Sequence, residues 1–219
     1  MLIGGFFVGV SSWFQKHSST KSLLTCFGLR YRPMTKSFIS AQRGFFPQPA
    51  YLIGAYDKEK IANFTLITWI TFCSVEPPML MFASRGKKLM RELVETTKQF
   101  SANLVTEEMK NMADYCGTTS GYKENKCAEF GIAYTTGSAL DVPILEKSPW
   151  IYECKLVNMI EAGSGFIYVG QIEGIIFEDK IEETGYGKIN MEDIKPLIYS
   201  PGSYYGIGSK IGSVGDSKH

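Results

Sequence analysis

Two neighbouring stretches concentrate side chains able to grip a small ligand. Between residues 63 and 74, Asn63, Thr65, Thr68, Trp69, Thr71 and Ser74 set short amides and hydroxyls beside an aromatic ring. A flat heteroaromatic ligand needs hydrogen bonds around its polar edge and an apolar surface against its ring, and this segment offers both. A threonine-rich strand obeying ordinary β propensity has the same composition, so the segment alone leaves both readings open. A little further on, Ser84, Arg85, Gly86, Lys87 and Lys88 precede a helical pattern. Cations at a helix start oppose the helix dipole. A bound anion relieves that conflict, because the first N–H groups of a helix are free to receive a phosphate. A solvated basic patch is the alternative.

Other chemistries lack their residues. The two histidines are His17 and His219, so residues 18–218 carry no imidazole. A Ser-His-Asp or Cys-His arrangement has no base there, and no H-E-x-x-H metal motif exists. The five cysteines, Cys26, Cys73, Cys116, Cys127 and Cys154, are odd in number and show no C-x-x-C spacing. That argues against a disulfide framework or a zinc site and for reduced, buried thiols in a cytoplasmic protein. Gly206, Gly208 and Gly212 do not form G-x-G-x-x-G and lie outside any βαβ unit, and no Walker A motif is present. No catalytic side chain and no metal stand out, so redox or group chemistry would come from a bound cofactor.

The elements that must hold these residues read as mostly β. Aromatics make up 13% of the 219 residues and 22 are glycine, which favours strands and tight turns. Strands are expected over 50–56, 61–72, 79–83, 100–105, 150–160 and 166–181. A turn at Gly163 and Gly165 separates the last two, and Gly170 and Gly174 mark bulges. Residues 87–98 place Leu89, Met90, Leu93, Val94 and Thr97 at helical spacing. Thr106 is expected to cap a second helix that Gly117 ends, followed by a polar loop over 121–126. Adjacent strands on short turns favour antiparallel pairing, and barrel closure would remove exposed edges. With 23 basic and 22 acidic residues the net charge is +1, which gives no footprint for nucleic acid and no polybasic membrane anchor. Residues 1–33 carry two short apolar runs, neither long enough to span a membrane. They read as a disordered extension, a weak targeting segment, or sequence upstream of a start at Met34, with one domain over 34–219.

The order Asn63, Thr65, Trp69, Cys73 and Ser74, Pro77 and Pro78, Arg85, then Asn103 resembles the flavin reductase-like, FMN-binding split-barrel family. Asp114 and Tyr115 running to Ser120 and Gly121, and the late series Pro201, Tyr204, Tyr205, Gly206 and Gly208, are similar to its flavoredoxin-type members. The similarity spans roughly residues 36–212. It implies a six-stranded antiparallel Greek-key split β-barrel with short helices, assembled as a homodimer with FMN near the subunit interface. By position, Asn63, Thr65, Thr68, Trp69, Thr71 and Ser74 would line the ring or its ribityl chain, with Asn103 among the motif residues. Ser84, Arg85, Lys87 and Lys88 would hold the phosphate, and Ser120, Gly121 and Tyr205 would close the pocket. One departure is Lys88, where such members often carry a small hydroxyl. The activity implied is FMN-dependent oxidoreduction with NAD(P)H as co-substrate. An electron carrier serving a redox protein partner and a non-redox β-barrel binding module are the alternatives.

Overall fold

Among the described residues, strands outnumber helices, and most helices are short. The computed structural model describes residues 36–179, 181 and 189–218. The chain divides into two units, Met1–Arg43 and Gly44–His219. Of the first, residues 36–43 are described; they are exposed and form neither helix nor strand. The expected extension over 1–33 lies outside the described residues.

The second unit begins with β1 (Gln48–Pro49), β2 (Tyr51–Tyr56), β3 (Ala62–Ile67), β4 (Ile70–Ser74) and β5 (Met79–Arg85). Then come α1 (Leu89–Thr97), β6 (Gln99–Leu104), α2 (Lys110–Thr118) and α3 (Lys126–Phe130). A small pair, β7 (Tyr134–Thr136) and β8 (Pro143–Leu145), leads to the long hairpin β9 (Trp150–Ala162) and β10 (Gly165–Phe177). The chain finishes through α4 (Met191–Ile194), β11 (Ile198–Ser200) and β12 (Ser203–Tyr205). Among the described residues no helix is long and apolar enough to cross a membrane.

The main sheet is antiparallel and runs β3-β2-β6-β9-β10-β5-β4. It has seven strands rather than the expected six, because the run over 61–72 divides at Thr68 and Trp69. The physical reason is that its two halves serve opposite ends of the sheet. β3 pairs with β2, whereas β4 pairs with β5, and the Trp69 carbonyl already accepts the Ala83 N–H at 2.8 Å. No ladder joins β3 to β4 among the described residues, so the expected closure is incomplete and both end strands keep an edge.

Burial on both faces explains why β2 reads as a continuous apolar run. Leu52 and Tyr56 face a cluster with Phe64, Met112, Cys116 and Cys127 under α2 and α3. The alternate residues Ile53 and Ala55 face a second cluster with Phe82, Phe100, Tyr168 and the buried side of α1. The second cluster centres on rings: Phe82 stacks on Tyr168 at 4.9 Å and meets Phe100 edge-on at 5.1 Å. Such pairs contribute about 0.5–1.5 kcal/mol beyond their burial. The Tyr168 hydroxyl donates to Glu95 and accepts from the Arg91 Nε, which fastens α1 to β10.

Several expectations need correction. Asn103, expected among the motif residues of the site, is taken up by contacts within the fold. It is fully buried, its amide donates to the Leu52 carbonyl and the Ser101 hydroxyl, and its oxygen accepts the Leu145 N–H. It therefore spends its polar capacity tying β6 to β2 and β8. Thr106 makes no side-chain cap; a 3-10 turn, Glu107–Met109, precedes α2, while Thr106 itself bridges to Pro196. Gly117 lies inside α2, whose C-cap is Thr119. The stretch beyond residue 121 holds α3, where Asn125 accepts the Cys127 and Ala128 N–H groups and Gly131 closes the helix at φ 68°. The expected helix over 87–98 is present as α1, with Lys88 and Lys98 as its caps.

The hairpin turns at Gly163, and its register shifts between Val169 and Gly170 and between Ile172 and Gly174, as the glycine spacing predicts. A Cβ on Gly170 would lie 2.5 Å from Cζ of Phe100. Gly170→Ala should therefore destabilise the protein by about 1–3 kcal/mol through overpacking. A urea denaturation midpoint lowered at unchanged slope is the expected result; an unchanged midpoint would mean that Phe100 has room to yield.

Candidate functional site

β3 is an end strand of the sheet, and three helix ends gather beside it. The turn after β5 delivers the start of α1, the last turn of α2 runs alongside, and α3 begins against the strand. Between them lies a cavity of about 150 Å³. Asn63 and Thr65 of β3 form one wall and Gly117, Thr118, Thr119, Ser120 and Gly121 another. Lys87, Lys88, Leu89 and Met90 enter from the start of α1, and Lys126 completes the lining. Three lysines and no carboxylate surround this space.

Local contacts hold the walls in place. The Arg91 Nη1 donates to the Gly86 carbonyl at 2.6 Å and Arg91 lies over the Phe166 ring, so the turn carrying Lys87 and Lys88 is clamped from below. The Tyr122 hydroxyl donates to Glu92, and Lys87 sits 5.4 Å from the Tyr122 ring centre. These contacts bind the 118–122 loop to α1 across the cavity. Gly121 comes so close to β3 that a Cβ there would meet the Asn63 Oδ1 at 2.6 Å and Leu89 at 3.1 Å. The cap of α1 has no side-chain acceptor; the Arg91 N–H is taken by the Lys88 carbonyl at 3.1 Å, which leaves Leu89 and Met90, both lining the cavity, as the uncapped start of the helix.

Lys126 is the unusual member. It is 3% exposed, and its ammonium donates to the Phe64 carbonyl and, at 3.0 Å, to the Cys116 carbonyl near the end of α2. Burial pushes it below the ordinary lysine range and Lys88 adds to that, while Cys116, Cys127 and Glu124 pull the other way. Burial also pushes the Cys116 thiol up to about 11 and the Cys127 thiol up to about 12, although Lys126 opposes both. Thiols held that high stay protonated and make poor nucleophiles. The four described cysteines are free.

Of the residues singled out from sequence, Asn63, Thr65, Lys87, Lys88, Ser120 and Gly121 meet in this cavity. Ser84 is buried within β5 and Arg85 is exposed at its end, and neither lines the cavity. The cationic end is thus Lys87, Lys88 and Lys126 in place of Ser84 and Arg85, because the chain turns at Gly86 before it reaches the helix. Thr68 and Trp69 sit at the break between β3 and β4, with Trp69 45% exposed. Thr71 and Ser74 lie on β4, and Tyr205 is exposed on β12. The cavity reaches none of these. Its lining suits an anion: three lysines and an uncapped helix start, with amide and hydroxyl groups around them.

Sequence reading missed Lys126, Thr118 and Thr119. The capping signal of Asn125 and Gly131 would have located α3, but nothing local announces that its first residue is buried, since lysine seldom is.

Comparisons with known proteins agree with this architecture. Flavoredoxin of Desulfovibrio vulgaris (Miyazaki F) superposes with a TM-score of 0.77 at 23% identity, covering 84% of this chain and 100% of that one. An uncharacterized protein of Aeropyrum pernix is 23% identical over 159 residues, 72% of this chain and 59% of its own length. The reductase subunit HsaB of a flavin-dependent monooxygenase from Mycobacterium tuberculosis is 25% identical over 134 residues, 61% of this chain and 63% of that protein. The matched region therefore spans less than two thirds of the last two proteins. The family model for the flavin reductase like domain matches residues 43–208, most of the chain, and the protein belongs to that family.

Proposed function

We propose that this protein binds FMN and acts as an NAD(P)H-dependent flavin reductase. The observation that carries the reading is the acid-free cavity at the start of α1, where three lysines face an amide and hydroxyl wall. Lys87, Lys88 and the first N–H groups of α1 hold the phosphate, which resolves the conflict between cations and the helix dipole. Asn63 and Thr65 hydrogen-bond the ribityl chain, and Ser120 and Gly121 cover it from the opposite side. A cavity of about 150 Å³ takes a phosphate and part of its chain, well short of the roughly 300–1,000 Å³ that encloses a whole organic ligand. The ring would then need room outside the cavity, with Thr68, Trp69, Thr71 and Ser74 as the residues to border it and Tyr205 supplied by a second copy. When bound, FMN supplies the redox chemistry by accepting a hydride from a reduced nicotinamide. The protein's task is to fix the phosphate end and to leave a ring face open.

A homodimer belongs to this reading. Cross-strand pairing places Ile160, Ile167 and Ala83 in one row and Asn158, Val169, Met81 and Thr71 in the next, on the face of the sheet opposite Tyr168 and Phe82. Ile160 is 46% exposed and Ile167, Ala83, Val169 and Met81 are half-buried. A second copy would cover this apolar face.

An electron carrier without a nicotinamide site is the second reading. It is favoured by the likeness to flavoredoxin across the whole of that chain. Mixing anaerobic holoprotein with NADH or NADPH separates the two. Bleaching of the flavin absorbance band is expected; an unbleached band would leave the carrier, and a colourless protein that takes up no FMN would leave a non-redox binding module. Gly121→Val should drive a side chain against Asn63 and Leu89 and cut FMN uptake by at least about tenfold while the protein stays folded, read by fluorescence titration and circular dichroism. Sedimentation equilibrium should give about twice the chain mass of 24.5 kDa, whereas a single chain mass at micromolar concentration would remove the dimer from the proposal.

A further inference from the structure

The cavity holds one cation whose presence its exposed lysines do not explain. Lys87 is exposed and Lys88 half-buried, so water can solvate both. Lys126 is 3% exposed. An ammonium has three donors, and two of them are used on the Phe64 and Cys116 carbonyls. Those partners are neutral. The carboxyl end of α2 offers only a fractional negative charge. Among the described residues Lys126 forms no ion pair; Glu124 acts on it without bridging to it, Lys88 adds a like charge, and Cys116 and Cys127 are protonated thiols. A buried charge so placed is costly until an opposite charge arrives.

We infer that Lys126 is the specificity-determining cation of this cavity, selecting a ligand that ends in a doubly charged phosphate over the same ligand without it. The inference rests on the cavity being the ligand site and deepens the FMN reading. A purely structural lysine, joining the end of α2 to β3, would support every ligand alike. A charge-reading lysine supports only the anionic one. Occupancy is also proton-linked. A phosphate beside Lys126 raises its proton affinity, so the complex takes up a proton wherever the free protein has begun to lose it. Affinity for the anion is full below the lowered free-protein value. It declines as pH rises from that value towards the value in the complex.

The test compares FMN with riboflavin, which lacks the phosphate, and with inorganic phosphate, using apoprotein and the Lys126→Gln variant. The variant should lose about tenfold to a hundredfold in FMN affinity, the worth of a hydrogen bond to a charged group, with riboflavin affinity unchanged. An FMN-to-riboflavin ratio equal to that of the wild type would overturn the inference. If neither flavin binds but inorganic phosphate does, and the variant loses it, Lys126 keeps its role and the FMN reading fails. If none of the three ligands binds, both fail. Should the variant not fold, wild-type calorimetry decides. Across a pH series rising towards the ordinary lysine value of ~10.4, FMN but not riboflavin should come to bind with proton uptake, seen as a dependence on buffer ionisation heat. Equal proton uptake with both flavins, or none with FMN, overturns the inference.

Discussion

The unpaired edge of β3 is the constraint on which the site depends. β3 is an end strand, yet Ala62, Asn63, Phe64 and Thr65 are all buried, so its outward carbonyls cannot be left to water. α3 meets the demand with side chains: Lys126 donates to the Phe64 carbonyl and the Cys127 thiol to the Ala62 carbonyl at 3.3 Å. A sheet edge open to pairing with another strand is instead covered by a short helix. The covering group is a cation, and it adds a buried charge beside a lining of amides, hydroxyls and two further lysines.

That choice sets the character of the neighbouring cavity. The same ammonium reaches the Cys116 carbonyl, which ties the last turn of α2 to the strand and carries the loop through Ser120 and Gly121 towards α1. On the other side, the Arg91, Glu95 and Tyr168 contacts fix α1 to the ring-filled interior. The cavity walls are therefore mounted on the two cores that flank β2, one per face. An anionic group placed between them would meet cations whose positions are set by folding.

Much of this frame was legible one element at a time. Glycine spacing located the hairpin turn and both register shifts of β10, because a missing Cβ is needed wherever backbone or a ring such as Phe100 comes too close. Apolar spacing located α1 because its buried face repeats at helical period. The division of the run over 61–72 was not legible. β propensity is the same on either side of Trp69, and only the destination of each half, at opposite ends of one sheet, requires the break. The contacts of Asn103 were not legible for a related reason: an asparagine that serves a ligand and one that ties three strands together look identical in sequence.

The amino-acid sequence by itself determined the class of protein: a mostly β chain without imidazole in its body, whose amides, hydroxyls and lysines suit a phosphate-bearing ligand better than any side-chain chemistry. Those are properties of residue type and short-range spacing, and they survive without knowing what touches what. Tertiary structure alone decided which cations line the cavity. Arg85 and Lys126 are 41 positions apart and equally charged in the sequence, yet one ends a strand in solvent while the other is sealed beneath a helix. Burial is a property of distant elements packing together, and burial is what turns an ordinary lysine into a charge that asks for a partner.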